Sequence, residues 1–135
     1  MSEYLFAYGT LQPGLAPKSM EQATAKLRAV GAGFVRGVLY DLGHYPGAIA
    51  DAGAAGRISG TVMELPDDGD VLRALDDYEG FDPQSPDTSE FIREQQVVEL
   101  LHGGTLMCWF YRYNGKIDAA RVFPSGEWQK KSLGP

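Results

Sequence analysis

Apolar positions along this chain fall mostly in short runs with a period of two. Tyr4-Leu5-Phe6-Ala7-Tyr8 is a continuous apolar and aromatic run ended by Gly9, which predicts a buried first strand. Gln12-Pro13-Gly14 opens a loop, and residues 18–30 place Met20, Ala23 and Leu27 on one side at helical spacing, which predicts a helix there. Residues 34–40 read as a strand, Leu42-Gly43-His44-Tyr45-Pro46-Gly47 as a turn, residues 48–50 as a short extended piece and residues 51–56 as an exposed turn. Alternation over residues 57–65 predicts another strand, which Pro66-Asp67-Asp68 stops. An Asp at that point is suited to cap a second helix running to Tyr78 or Glu79, with Gly80 beyond its end. Residues 82–90, with Pro83 and Pro86, form a surface loop. Two long strands, residues 91–101 and 105–113, meet through Gly103-Gly104 as a hairpin. Residues 114–135 are mostly irregular, with Trp128 as an anchor.

The second helix carries an acid where an apolar residue is expected. Leu72, Leu75 and Glu79 fall at i, i+3 and i+7 and share one face, while Arg73, Asp76 and Asp77 are expected on the solvated side. Glu79 therefore points towards the core or a pocket cut into it, at the end of the helix where the macrodipole disfavours negative charge. Burial and dipole both raise a carboxyl pKa, and a carboxyl tuned towards neutrality suits a proton shuttle. Taken by spacing alone, a glutamate in a last helical turn also fits one that curls out to solvent or pairs with a nearby Arg.

The turn after the first strand is the second candidate. In Tyr8-Gly9-Thr10-Leu11, glycine allows close approach of the backbone, and Thr10 adds a hydroxyl to the N–H groups that follow. Such a turn is able to hold a carboxylate. Many Gly-Thr turns only reverse the chain.

At 135 residues the chain is expected to be one domain over residues 1–135. A chain of this size buries roughly 65–70% of its unfolded surface and needs no disulfide or structural metal. Its 44% hydrophobic and 22% charged residues are those of a globular protein, and its 17 Gly and 8 Pro favour a strand-rich fold with many turns. The net charge of −6 argues against nucleic acid or an anionic membrane as partner. One cysteine, Cys108, excludes an intramolecular disulfide and fits a reducing compartment. Met1-Ser2-Glu3-Tyr4 lacks the start of a signal peptide, and no apolar run is long enough to span a bilayer, so a cytoplasmic location is expected. His44, His102 and Cys108 show no metal-ligand spacing, so no metal site is expected. A Cys–His nucleophile pair is weaker than the reading of Cys108 as a small buried hydrophobe.

Taken together, Tyr8-Gly9-Thr10-Leu11 and Leu75-Asp76-Asp77-Tyr78-Glu79-Gly80 resemble the γ-glutamylcyclotransferase-like superfamily, in particular its AIG2-like and γ-glutamylamine cyclotransferase branch. Tyr45-Pro46-Gly47-Ala48, the strand containing Tyr111 and Tyr113, and Gly126-Glu127-Trp128 are fainter echoes, and their aromatic residues fit core packing equally well. The resemblance implies an α+β fold, a small mixed β-barrel with a few packed helices and a pocket at one end. It implies Glu79 as general acid/base and Tyr8, Gly9, Thr10, Leu11 and Tyr111 as substrate-binding residues. The implied reaction converts a small γ-glutamyl amine or peptide into 5-oxoproline and a free amine, without a cofactor. Hydrolysis through the same Glu79 and a non-catalytic binding module are the alternatives, and oligomeric state is left open. Two departures concern substrate choice. Phe91-Ile92-Arg93 stands where the family usually has Tyr-x-Arg, and the loop over residues 82–90 is longer than the family norm.

Overall fold

A computed structural model describes residues 2–118 and 121–128. Six strands are present: β1 (Glu3–Ala7), β2 (Arg28–Asp41), β3 (Pro46–Ala50), β4 (Arg57–Leu65), β5 (Phe91–Leu100) and β6 (Thr105–Tyr113). Two helices accompany them, α1 (Glu21–Thr24) and α2 (Gly69–Glu79), with short 3-10 turns at Lys18–Met20 and Pro86–Thr88. The strand order is β1-β4-β2-β3-β6-β5. A parallel pairing of β1 with β6, at Leu5 and Trp109, closes β1, β4, β2, β3 and β6 into a mixed barrel, and β5 pairs with both β6 and β2. Closure leaves the barrel few free edges.

Side chains alternate between two cores. Phe6, Tyr8, Val35, Leu39, Ile58, Val62, Val98 and Phe110 fill the barrel interior. Leu5, Ala7, Met63, Leu65 and Tyr111 face the other way and pack with Val71 and Leu75 of α2. β1 is thus buried on both faces, which explains a continuous apolar run where a half-exposed strand would alternate. Phe6, Tyr8 and Phe110 stack within the interior at ring distances of 5.4–6.5 Å. Trp128 packs against this same interior cluster and acts as the anchor expected from the sequence; residues 119–120 and 129–135 lie outside the described residues.

Two expectations need correction. Residues 18–30 form no single helix: a one-turn α1 ends at Thr24, and β2 has begun by Arg28. Arg28 to Ala32 pair with residues 61–64 of β4 through a bulge near Val30, so ladder hydrogen bonds override an Ala-rich segment of weak helical preference. Met20, Ala23 and Leu27 still pack inward, against the α2 side. The other correction is Asp76, which is not solvated but 6% exposed.

α2 has well-defined ends. Asp68 accepts a hydrogen bond from the Asp70 N–H at its start. At its end Gly80 takes φ 72°, the Gly80 N–H donates to the Asp77 carbonyl, and the Phe81 N–H donates to the Asp76 carbonyl. This is the Schellman pattern, and it places Glu79 in the last helical position just before a left-handed turn. Leu75, 0% exposed, fastens that segment to the barrel. Leu75→Ala is expected to lower unfolding free energy by about 2–5 kcal/mol through lost burial and a residual cavity, read as a shift of the urea midpoint.

Candidate functional site

The C-terminal end of β1 opens into a cavity of about 190 Å³. Its wall is made by the end of β1 and the turn after it, by Tyr45 and Pro46, by Tyr78 and Glu79 at the end of α2, by Glu90 and Phe91 at the start of β5, and by Tyr111. Both sharp sequence motifs therefore meet in one place: Tyr8, Gly9, Thr10 and Leu11 face the same space as Glu79 although about 70 residues separate them in the chain. Tyr111 also lines it, whereas Tyr113 stands behind Phe91 at a ring distance of 5.4 Å. Cys108 lies in the barrel core and not in the cavity wall; its thiol is pushed up to about 11 by burial.

Gly9 is required by packing. A Cβ at this position would come within 2.9 Å of Pro46 Cγ, so the turn and the Pro46 wall approach closely only because residue 9 has no side chain. The N–H groups of Gly9, Thr10 and Leu11 donate to no backbone or side-chain acceptor among the described residues. The Gly9 carbonyl accepts from the Gln12 N–H at 3.1 Å, and the Gln12 side-chain amide donates to the Tyr8 carbonyl at 3.1 Å, which fixes the turn's shape.

The hydroxyls around the cavity are committed to the protein. Tyr8 donates to the Tyr111 carbonyl at 2.6 Å and accepts from the Ala48 N–H at 3.3 Å. Thr10 Oγ1 and the Tyr78 hydroxyl are 2.7 Å apart, which ties the turn to α2. The Tyr111 hydroxyl donates to Asp76 Oδ1 at 2.7 Å, so this residue contributes its ring, not a free hydroxyl, to the wall. Burial first, then the nearby Glu79 charge, raises the Tyr8 hydroxyl well above its ordinary value; burial and Asp76 do the same for Tyr111. The Tyr45 hydroxyl donates to Glu90 Oε1, and that bond raises it to about 12.

Asp76 and Glu79, three residues apart on one helix, have opposite surroundings. Asp76 receives Arg93 Nε on Oδ1 at 2.8 Å and a second guanidinium nitrogen on Oδ2 at 3.3 Å, a bidentate ion pair. The Arg93 guanidinium lies over the Trp109 ring at 4.2 Å and near the Phe81 ring at 5.6 Å. Glu79 has no hydrogen-bond or ion-pair partner among the described residues. It is the one polar side chain of the cavity wall in this condition. Its carboxyl is raised to about 8, chiefly by burial and secondarily by repulsion from Glu90.

Sequence reasoning missed Asp76, Tyr78, Arg93 and Glu90. A full i, i+3, i+4, i+7 stripe through Leu72 includes Asp76 as well as Leu75 and Glu79, so Asp76 was within reach of the pattern, with Arg93 as its complement. Glu90 gave no local signal. It reaches the cavity because the loop after α2 folds back, with the Glu90 N–H on the Gly80 carbonyl at 3.1 Å.

Among solved structures, an AIG2-like protein from Mus musculus superposes with a TM-score of 0.75 at 20% identity, covering 98% of this chain and 91% of that one. YkqA from Bacillus subtilis gives 0.69 at 22% identity over 95% of this chain, which spans only 40% of the length of the Bacillus protein. A gamma-glutamyl cyclotransferase gives 0.58 at 13% identity, over 84% of this chain and 67% of that one. At these identities the likeness is one of fold. No curated protein matches the chain in sequence. The profile of the family described as gamma-glutamyl cyclotransferase, AIG2-like, matches residues 5–130, a span that takes in every cavity residue, and by that match the chain belongs to this family.

Proposed function

We propose that the chain catalyses intramolecular aminolysis of a γ-glutamyl amine or peptide, releasing 5-oxoproline and a free amine. The observation that carries this reading is Glu79: a carboxyl facing a small cavity, with no hydrogen-bond or ion-pair partner among the described residues, raised to about 8 chiefly by burial. The family match and the Tyr8–Leu11 turn, which lines the same cavity, support it.

In this reading the unpartnered N–H groups of Gly9, Thr10 and Leu11 hold the amino-acid head of the substrate and polarise its γ-carbonyl. The substrate's α-amine attacks that carbonyl, forming the lactam C–N bond. Glu79 accepts the proton that the attacking nitrogen sheds and returns it to the departing nitrogen as the original amide C–N bond breaks. No water is consumed. Nucleophile and electrophile belong to one molecule, so the cavity's main contribution is to hold the folded-back conformation. A carboxyl near 8 is matched to exchanging protons with an amine at neutral pH, where an ordinary carboxylate is too weak a base, and such help is typically worth about 10²–10⁴-fold.

The decisive test compares a γ-glutamyl amine with its N-acetylated form by mass analysis of products. Release of 5-oxoproline from the free-amine substrate alone is expected, because acetylation removes the nucleophile. N-acetylglutamate formed from the blocked substrate would replace cyclisation with hydrolysis through the same Glu79.

Two further outcomes follow from the carboxyl itself. Glu79→Gln is expected to lower kcat by about 10²-fold or more while Asp77→Asn, on the exposed side of α2, stays near wild type. The same Glu79→Gln change should stabilise the fold. A carboxyl whose folded pKa of about 8 exceeds its unfolded value keeps its proton in the native state while the unfolded chain releases it. The cost of ionisation therefore grows as pH rises from about 4.5 towards 8 and is full above that range. Urea unfolding is expected to show the variant more stable by about 3–5 kcal/mol above pH ~8, with the linkage difference vanishing below pH ~4. A stability difference independent of pH would contradict the raised carboxyl.

A further inference from the structure

The outer face of β2 and β4 carries an arrangement that shares no residue with the cavity wall. Ala32, Phe34 and Arg36 alternate with the buried Gly33, Val35 and Gly37, and Arg57, Ser59 and Thr61 alternate with the buried Ile58, Gly60 and Val62. The outward residues are cross-strand partners: Ala32 with Thr61, Phe34 with Ser59, and Arg36 with Arg57. Two guanidinium side chains thus leave the sheet from directly opposed positions, where like charge destabilises the pairing. Arg28, Arg73, Arg93, Arg112 and Arg121 each have an acidic partner. Arg36 and Arg57 are the chain's other arginines, and neither has one among the described residues. Asp51, whose N–H donates to the Arg36 carbonyl at 2.9 Å, turns its Oδ1 to the Gly53 N–H instead. Glu127 lies on the same face as Arg57 and forms no ion pair with it. Arg57 is stacked over the Phe34 ring at 4.5 Å, which steadies its plane and leaves its edge donors available to a carboxylate.

From Arg57 a groove runs along this face. One wall is Leu101, 69% exposed, whose N–H donates to the Ala32 carbonyl at 3.0 Å. The other is the strap over residues 124–128, which lies beside β4 below Thr61, the last residue of β4 that pairs with β1. The Ser59 N–H donates to the Gly126 carbonyl at 2.8 Å, and a Cβ at residue 126 would collide with the Arg57 carbonyl, so the strap is seated tightly. The Ser59 and Thr61 hydroxyls in the floor have no hydrogen-bond partner among the described residues.

We propose that this face is a docking surface for an acidic, extended peptide segment of a partner protein. Carboxylates of the segment bridge Arg36 and Arg57, which removes the like-charge conflict that the two arginines carry alone. The residues that follow lie in the groove against Phe34 and Leu101, with the Ser59 and Thr61 hydroxyls as their polar contacts. Charge selects this occupant. The chain as a whole carries −6, so a second copy or a long polyanion is repelled by the rest of the surface, whereas a short acidic segment meets the two arginines locally. The exposed apolar wall and the length of the groove beyond Arg57 suit a peptide rather than a lone small anion. The inference does not rest on the cyclotransferase reading.

The test uses the intact protein and fluorescence anisotropy with a labelled peptide, Gly-Glu-Glu-Ser-Leu-Ser-Gly, beside its counterpart with Gln in place of Glu. At low salt, wild type is expected to bind the glutamate peptide about tenfold more tightly than the glutamine one, the size of two ion contacts at exposed arginines. That difference should shrink as salt is raised. Arg36→Gln and Arg57→Gln are each expected to weaken the glutamate peptide by roughly three- to fivefold, and the double variant to bind both peptides alike. Arg36→Gln should also unfold in urea at a midpoint no lower than wild type, because it relieves the opposed charges without removing the stack on Phe34. A lower midpoint would make the pair a support of the fold and overturn the argument from its conflict. Equal binding of the two peptides by wild type, or a preference that survives in the double variant, would overturn the docking surface. Inorganic phosphate bound as tightly as the peptide would reduce it to a small-anion site, and a DNA oligonucleotide bound more tightly would point to a nucleic acid; either result overturns the peptide assignment.

Discussion

β1 is buried on both faces, and that constraint reaches every part of the cavity. A strand with Leu5 and Ala7 against the helix side and Phe6 and Tyr8 in the barrel interior has no solvent-facing register, so a slip by one residue would exchange two cores of different shape. Its antiparallel partner β4 and its parallel contact with β6 hold it in the ring. The turn that follows is thereby delivered to a fixed place at the barrel end. Gly9 then fits against Pro46, and Thr10 meets Tyr78 of α2. The close approach of these walls gives a cavity of about 190 Å³, well below the roughly 300–1,000 Å³ usual for drug-sized ligands.

The second organising feature is the buried Asp76–Arg93 pair. It joins α2 to β5, and through the Tyr111 hydroxyl and carbonyl it continues to Tyr8. The desolvation cost of a largely buried ion pair offsets much of its attraction, so its value here is best seen in the geometry it fixes. It fixes the position of α2 relative to the strand that carries Tyr111. Asp76, supplied with a guanidinium and a phenol, is a structural charge. Glu79, one turn farther along the same face, has no such partner among the described residues and faces the cavity. Two carboxylates on one helix are thus separated into different chemistry by their surroundings.

At the rim the folded-back loop matters more than its composition. Residues 82–89 return the chain so that Glu90 lies against Gly80, the residue after Glu79. Phe91 fills the wall between Tyr45 and Tyr113 with an aromatic face and no hydroxyl, so the polar groups on this side are Glu90 and the Tyr45 phenol, which bond to each other. A loop variant that keeps the barrel intact would therefore change the rim while leaving the turn and Glu79 in place.

Much of this arrangement was legible in local sequence because local physics fixed it. The doubly buried β1 showed as an unbroken apolar run, β4 as a broadly alternating run ended by proline, and the end of α2 as a glycine able to take a positive φ. Glu79 was legible because an acid on a leucine stripe violates that stripe's own rule. The segment over residues 18–30 was not, because its weak helical preference competes with ladder bonds to β4 that exist only once the barrel closes. Nor was the division of labour among the polar groups. Asp76 and Glu79 share a face, and only the return of β5 brings Arg93 to one of them and Glu90 towards the other. Sequence periodicity specifies which way a side chain points; which charge it meets there is decided by strands distant in the chain, and that partner sets whether a buried carboxylate is structural or free to exchange a proton.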